Sequence, residues 1–118
     1  MKSCWESYKG KRIFIAHYDH MTLEQVATEV KEVSTAMALE KTTTEMLVLV
    51  DTTGTLVSPE VLRLFKEVSE SSSHFKTKSA ILGMTGPRRV FLDIVAKFSK
   101  TMVTPFDDAQ TAKDWLVA

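Results

Sequence analysis

Residues 46–65 read MLVLVDTTGTLVSPEVLRLF, and the order of apolar and polar residues in this stretch decides the fold. Met46, Leu47, Val48, Leu49 and Val50 are apolar in succession, so neither pleat face of the segment is polar. A strand of that kind is covered on both sides, which places it inside a mostly parallel sheet and not on a half-wet edge. The run stops at Asp51, Thr52, Thr53 and Gly54, a polar loop. Ser58 then stands directly before Pro59, the pairing of an N-cap side chain with the first helical position, where a missing N–H costs nothing. Val61, Leu62, Phe65 and Val68 follow at helical spacing. Strand, loop and helix in this order are one half-turn of an α/β layer.

Working outward, the same alternation recurs. Cys4 to Tyr8 reads as a leading strand that turns at Lys9-Gly10 into a stronger strand, Arg12 to Tyr18. Thr22 with Gln25 three residues on is a capping box opening a long helix. Its predicted buried stripe is Leu23, Val26, Ala27, Val30, Val33 and Met37, with Glu24, Glu29, Lys31 and Glu32 off it. Beyond the central strand and its helix, SESSSH over 69–74 is a helix end and loop, and Ser79 to Gly83 is a third apolar strand. A helix with Val90, Phe91, Ile94, Val95 and Phe98 inward, a strand from Met102 to Phe106, and a terminal helix capped by Asp107 and Asp108 and carrying Ala112, Trp115 and Leu116 complete the reading. The expected fold is a single α/β domain over residues 1–118. It has a mostly parallel four- to five-stranded sheet, helices joined by right-handed crossovers, and an antiparallel N-terminal edge strand.

Composition narrows the function by exclusion. The 118 residues suffice for one core burying roughly two thirds of the unfolded surface. Fifteen Lys and Arg balance fifteen Asp and Glu, so no global field draws in nucleic acid or an anionic membrane; either would need a local patch, and nucleic acid is not expected as a partner. Cys4 is the single cysteine, which fits a reducing compartment. The opening residues lack the apolar core of a signal peptide and no segment has the ~18 apolar residues of a membrane span. A cytoplasmic protein without integral membrane association is the expectation.

Ligands of open α/β sheets sit outside the carboxyl ends of the parallel strands, and three loops fall there: 51–58, 83–89 and 105–108. In the second, Gly83 and Gly86 allow close backbone approach, Thr85 supplies a hydroxyl at a helix start, and Arg88 and Arg89 suit an anion. The competing reading makes the glycines turn formers and the arginines a solvated face. In the first, Asp51, Thr52, Thr53 and Ser58 offer a carboxylate and hydroxyls. A Ser58, His17 and Asp51 hydrolase triad competes there with the plain role of Ser58 as a helix cap. His17, His20 and Cys4 have neither the spacing nor the fourth ligand of structural zinc, so no metal site and no cofactor are expected.

Several motifs together resemble a known family. Tyr8-Lys9-Gly10-Lys11 before a strand, Val50-Asp51-Thr52-Thr53-Gly54, Ser58-Pro59-Glu60-Val61, Lys78-Ser79-Ala80, Gly83-Met84-Thr85-Gly86, and Phe106-Asp107-Asp108 with Ala112-Lys113-Asp114-Trp115-Leu116 look like the small bacterial SpoIIAA-like, or STAS/Sec14-like, proteins. The resemblance spans nearly the whole chain. It implies that fold and a choice among anti-sigma-factor antagonists, regulatory domains of anion transporters and Sec14-type lipid carriers. From the antagonists it implies a phosphorylatable serine at the start of the helix after the central strand, here Ser58. Val57-Ser58-Pro59-Glu60 stands where that group has an Asp-Ser-Ser-Gly type of motif. Residues and resemblance together lead to a non-enzymatic regulatory or binding domain. It recognises a partner protein or a small anionic or amphipathic ligand at the loops after the parallel strands, with homodimerisation open to so small a domain. The alternatives are a lipid or hydrophobe carrier and a small serine hydrolase.

Overall fold

A computed structural model describes residues 1–41, 44–56, 58–84 and 103–118. In chain order the elements are β1 (Cys4–Tyr8), β2 (Lys11–His17), α1 (Leu23–Leu39), β3 (Met46–Asp51), α2 (Pro59–Ser71), β4 (Thr77–Leu82), β5 (Val103–Phe106) and the terminal helix, α3 here (Ala109–Val117). The helix expected over residues 90–98 lies outside the described residues, as do Met102 at the start of the last expected strand and the 85–89 part of the second loop.

The five strands form one sheet in the order β1-β2-β3-β4-β5. β1 runs antiparallel to β2, and every later pair is parallel. The reversal between β1 and β2 follows from Lys9 and Gly10, which both take positive φ at 48° and 80°, the geometry that matches a two-residue hairpin to strand twist. β3 sits in the centre, as its unbroken apolar run requires. Pro105 falls on β5, opposite Ile81, at the last position of the strand order, where a missing N–H is tolerated.

Alternation along the strands sorts side chains into two layers. Phe14 and Ala16 of β2, Met46 of β3 and Ile81 of β4 face α1 and α2, joined by Val26, Val30, Val33, Met37, Val61 and Leu62. Ile13, Ile15, Leu47, Leu49, Ala80 and Leu82 face α3 through Ala112 and Leu116. Crossovers of one hand stepping in one direction put successive helices on the same side, which is why α1 and α2 share a face and leave the other to α3.

The caps lie where the sequence places them. Thr22 Oγ1 accepts from the Gln25 N–H while the Thr22 N–H donates to Gln25 Oε1. Ser58 Oγ accepts from the Val61 N–H at 3.3 Å with Pro59 behind it. Asp108, not the Asp107-Asp108 pair, is the N-cap of α3, accepting from the Thr111 N–H. The stripe of α1 requires a correction. Leu23 is 49% exposed whereas Glu29 is only 6% exposed, so the buried arc is rotated toward Glu29 and away from Leu23 and half-buried Ala27. Glu29 tolerates this because its carboxylate is satisfied. It accepts from the Lys2 N–H at 3.0 Å, the Ser3 N–H at 2.7 Å and the Ser3 hydroxyl at 2.6 Å. Burial alone would push the Glu29 carboxyl up; the Ser3 hydroxyl and the two backbone amides outweigh it and hold the group below its ordinary value.

Candidate functional site

Two places in the described structure carry more chemistry than the fold needs. The first is the carboxyl edge of β2 and β3. His17 and Asp51 end neighbouring strands and are direct register partners. Two residues after His17 on the same side comes Asp19, whose Oδ1 lies 3.2 Å from His17 Nδ1 and whose Oδ2 lies 3.4 Å from Lys2 Nζ. Asp51 Oδ1 accepts from the Thr53 N–H at 3.0 Å. One ligand atom each from His17, Asp19 and Asp51 lies within 4.8 Å of the others, and all three residues are half-buried. Burial disfavours the Asp19 carboxylate, but its own amide, the His17 ring and the Lys2 ammonium hold its pKa below the usual value.

The loop residues around this edge divide into structural and open groups. Thr52 is fully buried, its hydroxyl donating to the Leu82 carbonyl at 2.6 Å and its N–H to the same oxygen at 3.0 Å. It extends the β3–β4 ladder by one step and turns away from the loop. Gly83 takes φ +87°, and a Cβ there would lie 2.6 Å from the Thr53 nitrogen and 2.7 Å from the Thr52 carbonyl carbon. Only glycine lets the two loops pass this closely. Thr55, also buried, accepts from the Met21 N–H at 3.0 Å and donates to the Tyr18 carbonyl, tying the β3 loop to the chain after β2. Thr53 and Gly54 are exposed, with the His20 ring lying over Gly54. Ser58 is half-buried and engaged with the Val61 N–H and the Glu60 carboxylate. Its role in the structure is that of a cap, and of the expected Ser58, His17 and Asp51 triad the strand register pairs His17 with Asp51. Thr85, Gly86, Arg88 and Arg89, the anion-binding half of the second loop, lie outside the described residues.

The second place lies beneath α1 and α2. Between the sheet and α1–α2 lies a cavity of about 110 Å³ whose described walls include Phe14, Ala16, Val48, Val50, Phe65 and Tyr18. Its walls are mainly apolar, with Lys66, Ser69 and Ser72 of α2 and the following turn adding polar groups. Tyr18 is 1% exposed, packs against Phe65 at 4.8 Å between tilted ring centroids, and has no hydrogen-bond partner for its hydroxyl among the described residues. Burial, with a smaller contribution from the Glu29 charge, raises its pKa well above the usual phenol value, so the hydroxyl stays neutral and keeps its proton to donate.

A larger depression of about 470 Å³ opens at the amino edge of the strands between Trp5, Lys11, Arg12, Glu45 and Lys78. Its charges are mixed and partly committed. Lys78 Nζ donates to the Trp115 carbonyl at 2.7 Å and Lys11 Nζ to the Val117 carbonyl at 3.2 Å, which places two cations on the last carbonyls of α3.

Sequence reasoning singled out Asp51 and paired it in space with His17, but it missed Asp19 and Tyr18. The signal for Asp19 was present, since residues 17 and 19 of an extended segment share one side. Nothing in the sequence signals a cavity beside Tyr18. No protein-family model, curated protein or solved structure matches the chain. Fold and site thus define a mixed-sheet α/β domain with one polar cluster at the strand ends and one lined cavity beneath two helices.

Proposed function

We propose that the protein is a non-enzymatic binding domain whose ligand is a small amphipathic molecule held between α1–α2 and the sheet. The observation that carries this reading is the apolar cavity, with Tyr18 among its lining residues and the buried Tyr18 hydroxyl without a partner among the described residues. A buried polar group left unpaired costs about 1–3 kcal/mol, and a ligand oxygen or nitrogen would remove that cost while its apolar body fills the space. A cavity of about 110 Å³ falls below the ~300–1,000 Å³ of drug-sized sites, so the reading favours a single ring or short chain over a full acyl tail. The mixed sheet with its antiparallel first pair supports the SpoIIAA-like resemblance as the family behind this domain. Within that resemblance the hydrophobe-carrying branch now has an internal space to act on, whereas Ser58 offers a phosphoswitch only if its cap is given up.

The test is a titration of the full chain with phenol and with benzene, followed by amide and methyl NMR. Phenol should shift resonances of Val48, Val50 and Phe65 saturably, and Tyr18→Phe should weaken phenol while leaving benzene unchanged. Absence of saturable shifts at these residues with either probe would defeat the reading. A second reading, docking of a partner protein at the carboxyl edge, is favoured by Leu56, which is 75% exposed in the β3–α2 loop; Leu56→Ser should then abolish a complex recovered by in-cell crosslinking.

A further inference from the structure

We propose that His17, Asp19 and Asp51 form a site for a divalent transition-metal ion of the zinc type, independent of the cavity and its ligand. The donors come from two adjacent strand ends, and their register fixes their spacing. His17 faces Asp51 across the parallel ladder, and Asp19 follows His17 on the same side. Ligands 2.0–2.2 Å from a tetrahedral ion lie about 3.3–3.6 Å from one another. His17 Nδ1 and Asp19 Oδ1, at 3.2 Å, already stand close to that edge length. Asp51 completes the triangle within 4.8 Å, and an adjustment of about one ångström in its side chain brings it to the same separation.

The donor types select the metal. Calcium and magnesium sites are built from six or more oxygens, whereas an imidazole among carboxylates favours zinc and its neighbours. Three protein ligands at a half-exposed strand end leave one coordination position to water, the open type of zinc site and not the closed structural type. The surroundings orient two of the three ligands. Asp51 is held by the Thr53 N–H, and the His17 backbone N–H is fixed by the Ser3 hydroxyl at 2.9 Å. Among the described residues Lys2 Nζ stands at the cluster, 3.4 Å from Asp19, on a side chain 53% exposed. An ion pair that open is weak and yields its carboxylate to a metal.

The experiment is isothermal titration of the full chain with Zn²⁺ in a buffer free of chelators, paired with the imidazole NMR resonances. One ion per chain should bind, with the His17 ring resonances moving and those of His74 unmoved. His17→Ala and Asp51→Asn should each weaken binding by at least what loss of an outer-shell partner costs, about tenfold. His74→Ala and Cys4→Ser should leave it unchanged. Lys2→Ala removes the competing ammonium without altering the Lys2 backbone contact to Glu29, and it should tighten binding; this variant keeps the test decisive if Asp51→Asn folds poorly. Zinc that fails to saturate, that binds equally well to His17→Ala, or that is lost with Cys4 or His74 overturns the site.

Discussion

The two faces of the sheet are made by alternate residues of the same strands, yet they close differently. Toward α3, Leu49 is 2% exposed and packs with Ile13, Ala80, Ala112 and Leu116. Toward α1 and α2, the neighbouring Val48 and Val50 stay only half-buried and border a cavity. On the α3 side Ala112 and Leu116 are buried against the strands, whereas on the α1–α2 side a cavity lies beside strand residues as buried as Phe14 and Ile81. The difference teaches that an apolar strand residue is not automatically a close-packed one.

The comparison can be broken most sharply by truncation. Leu49→Ala should cost about 2–5 kcal/mol, the range for a large side chain removed from a packed interior. Val48→Ala should cost about 1 kcal/mol, because some of its methyl surface already lacks partner atoms. Equal losses by urea denaturation would mean that the faces are packed alike.

The helices over the cavity are anchored by polar groups, and Glu29 is the strongest of these on α1. Glu29→Gln should cost about 1.5–3 kcal/mol, the range for hydrogen bonds to a charged group. Because the folded carboxyl titrates below its unfolded value, its contribution is complete above the unfolded pKa and is lost as pH falls through the folded one. The wild-type and Gln variants should therefore converge in stability on acidification. A gap that stays constant into acid would assign the effect to packing.

Enlargement probes the same contrast from the other side. Ala80→Leu, toward α3, should overpack and cost about 1–3 kcal/mol, while Val50→Leu should be neutral or stabilising because it grows into the cavity. A penalty for Val50→Leu as large as that for Ala80→Leu would show that the cavity is not available to side chains. At the start of α2, Ser58→Ala should cost about 1 kcal/mol through loss of the cap. A stability-neutral change there would release Ser58 from its structural role and leave its hydroxyl free for modification.

Much of the fold was legible in residue order. The both-faces-apolar run of β3 announced a covered central strand, Lys9-Gly10 the hairpin, and Thr22, Ser58 and Asp108 the starts of the three described helices, because caps and turns are decided by a few adjacent residues. Glu29 was misread because burial of a charge depends on partners 26 and 27 residues away, which periodicity does not contain. The site was half legible. Asp51 and His17 stand out as polar residues at the ends of apolar runs, but their distance is a matter of strand register, and the same register turned Thr52 inward.

The sequence by itself determined the kinds of element, their order and their ends, since hydrophobic period, capping side chains and positive-φ glycine are local properties of the chain. Tertiary structure alone decided that His17, Asp19 and Asp51 meet, that the buried Tyr18 hydroxyl has no partner among the described residues, and that a cavity lies beside Val48 and Val50 on one sheet face. Those outcomes depend on how separate elements are registered and spaced against one another, and no single stretch of sequence encodes that spacing.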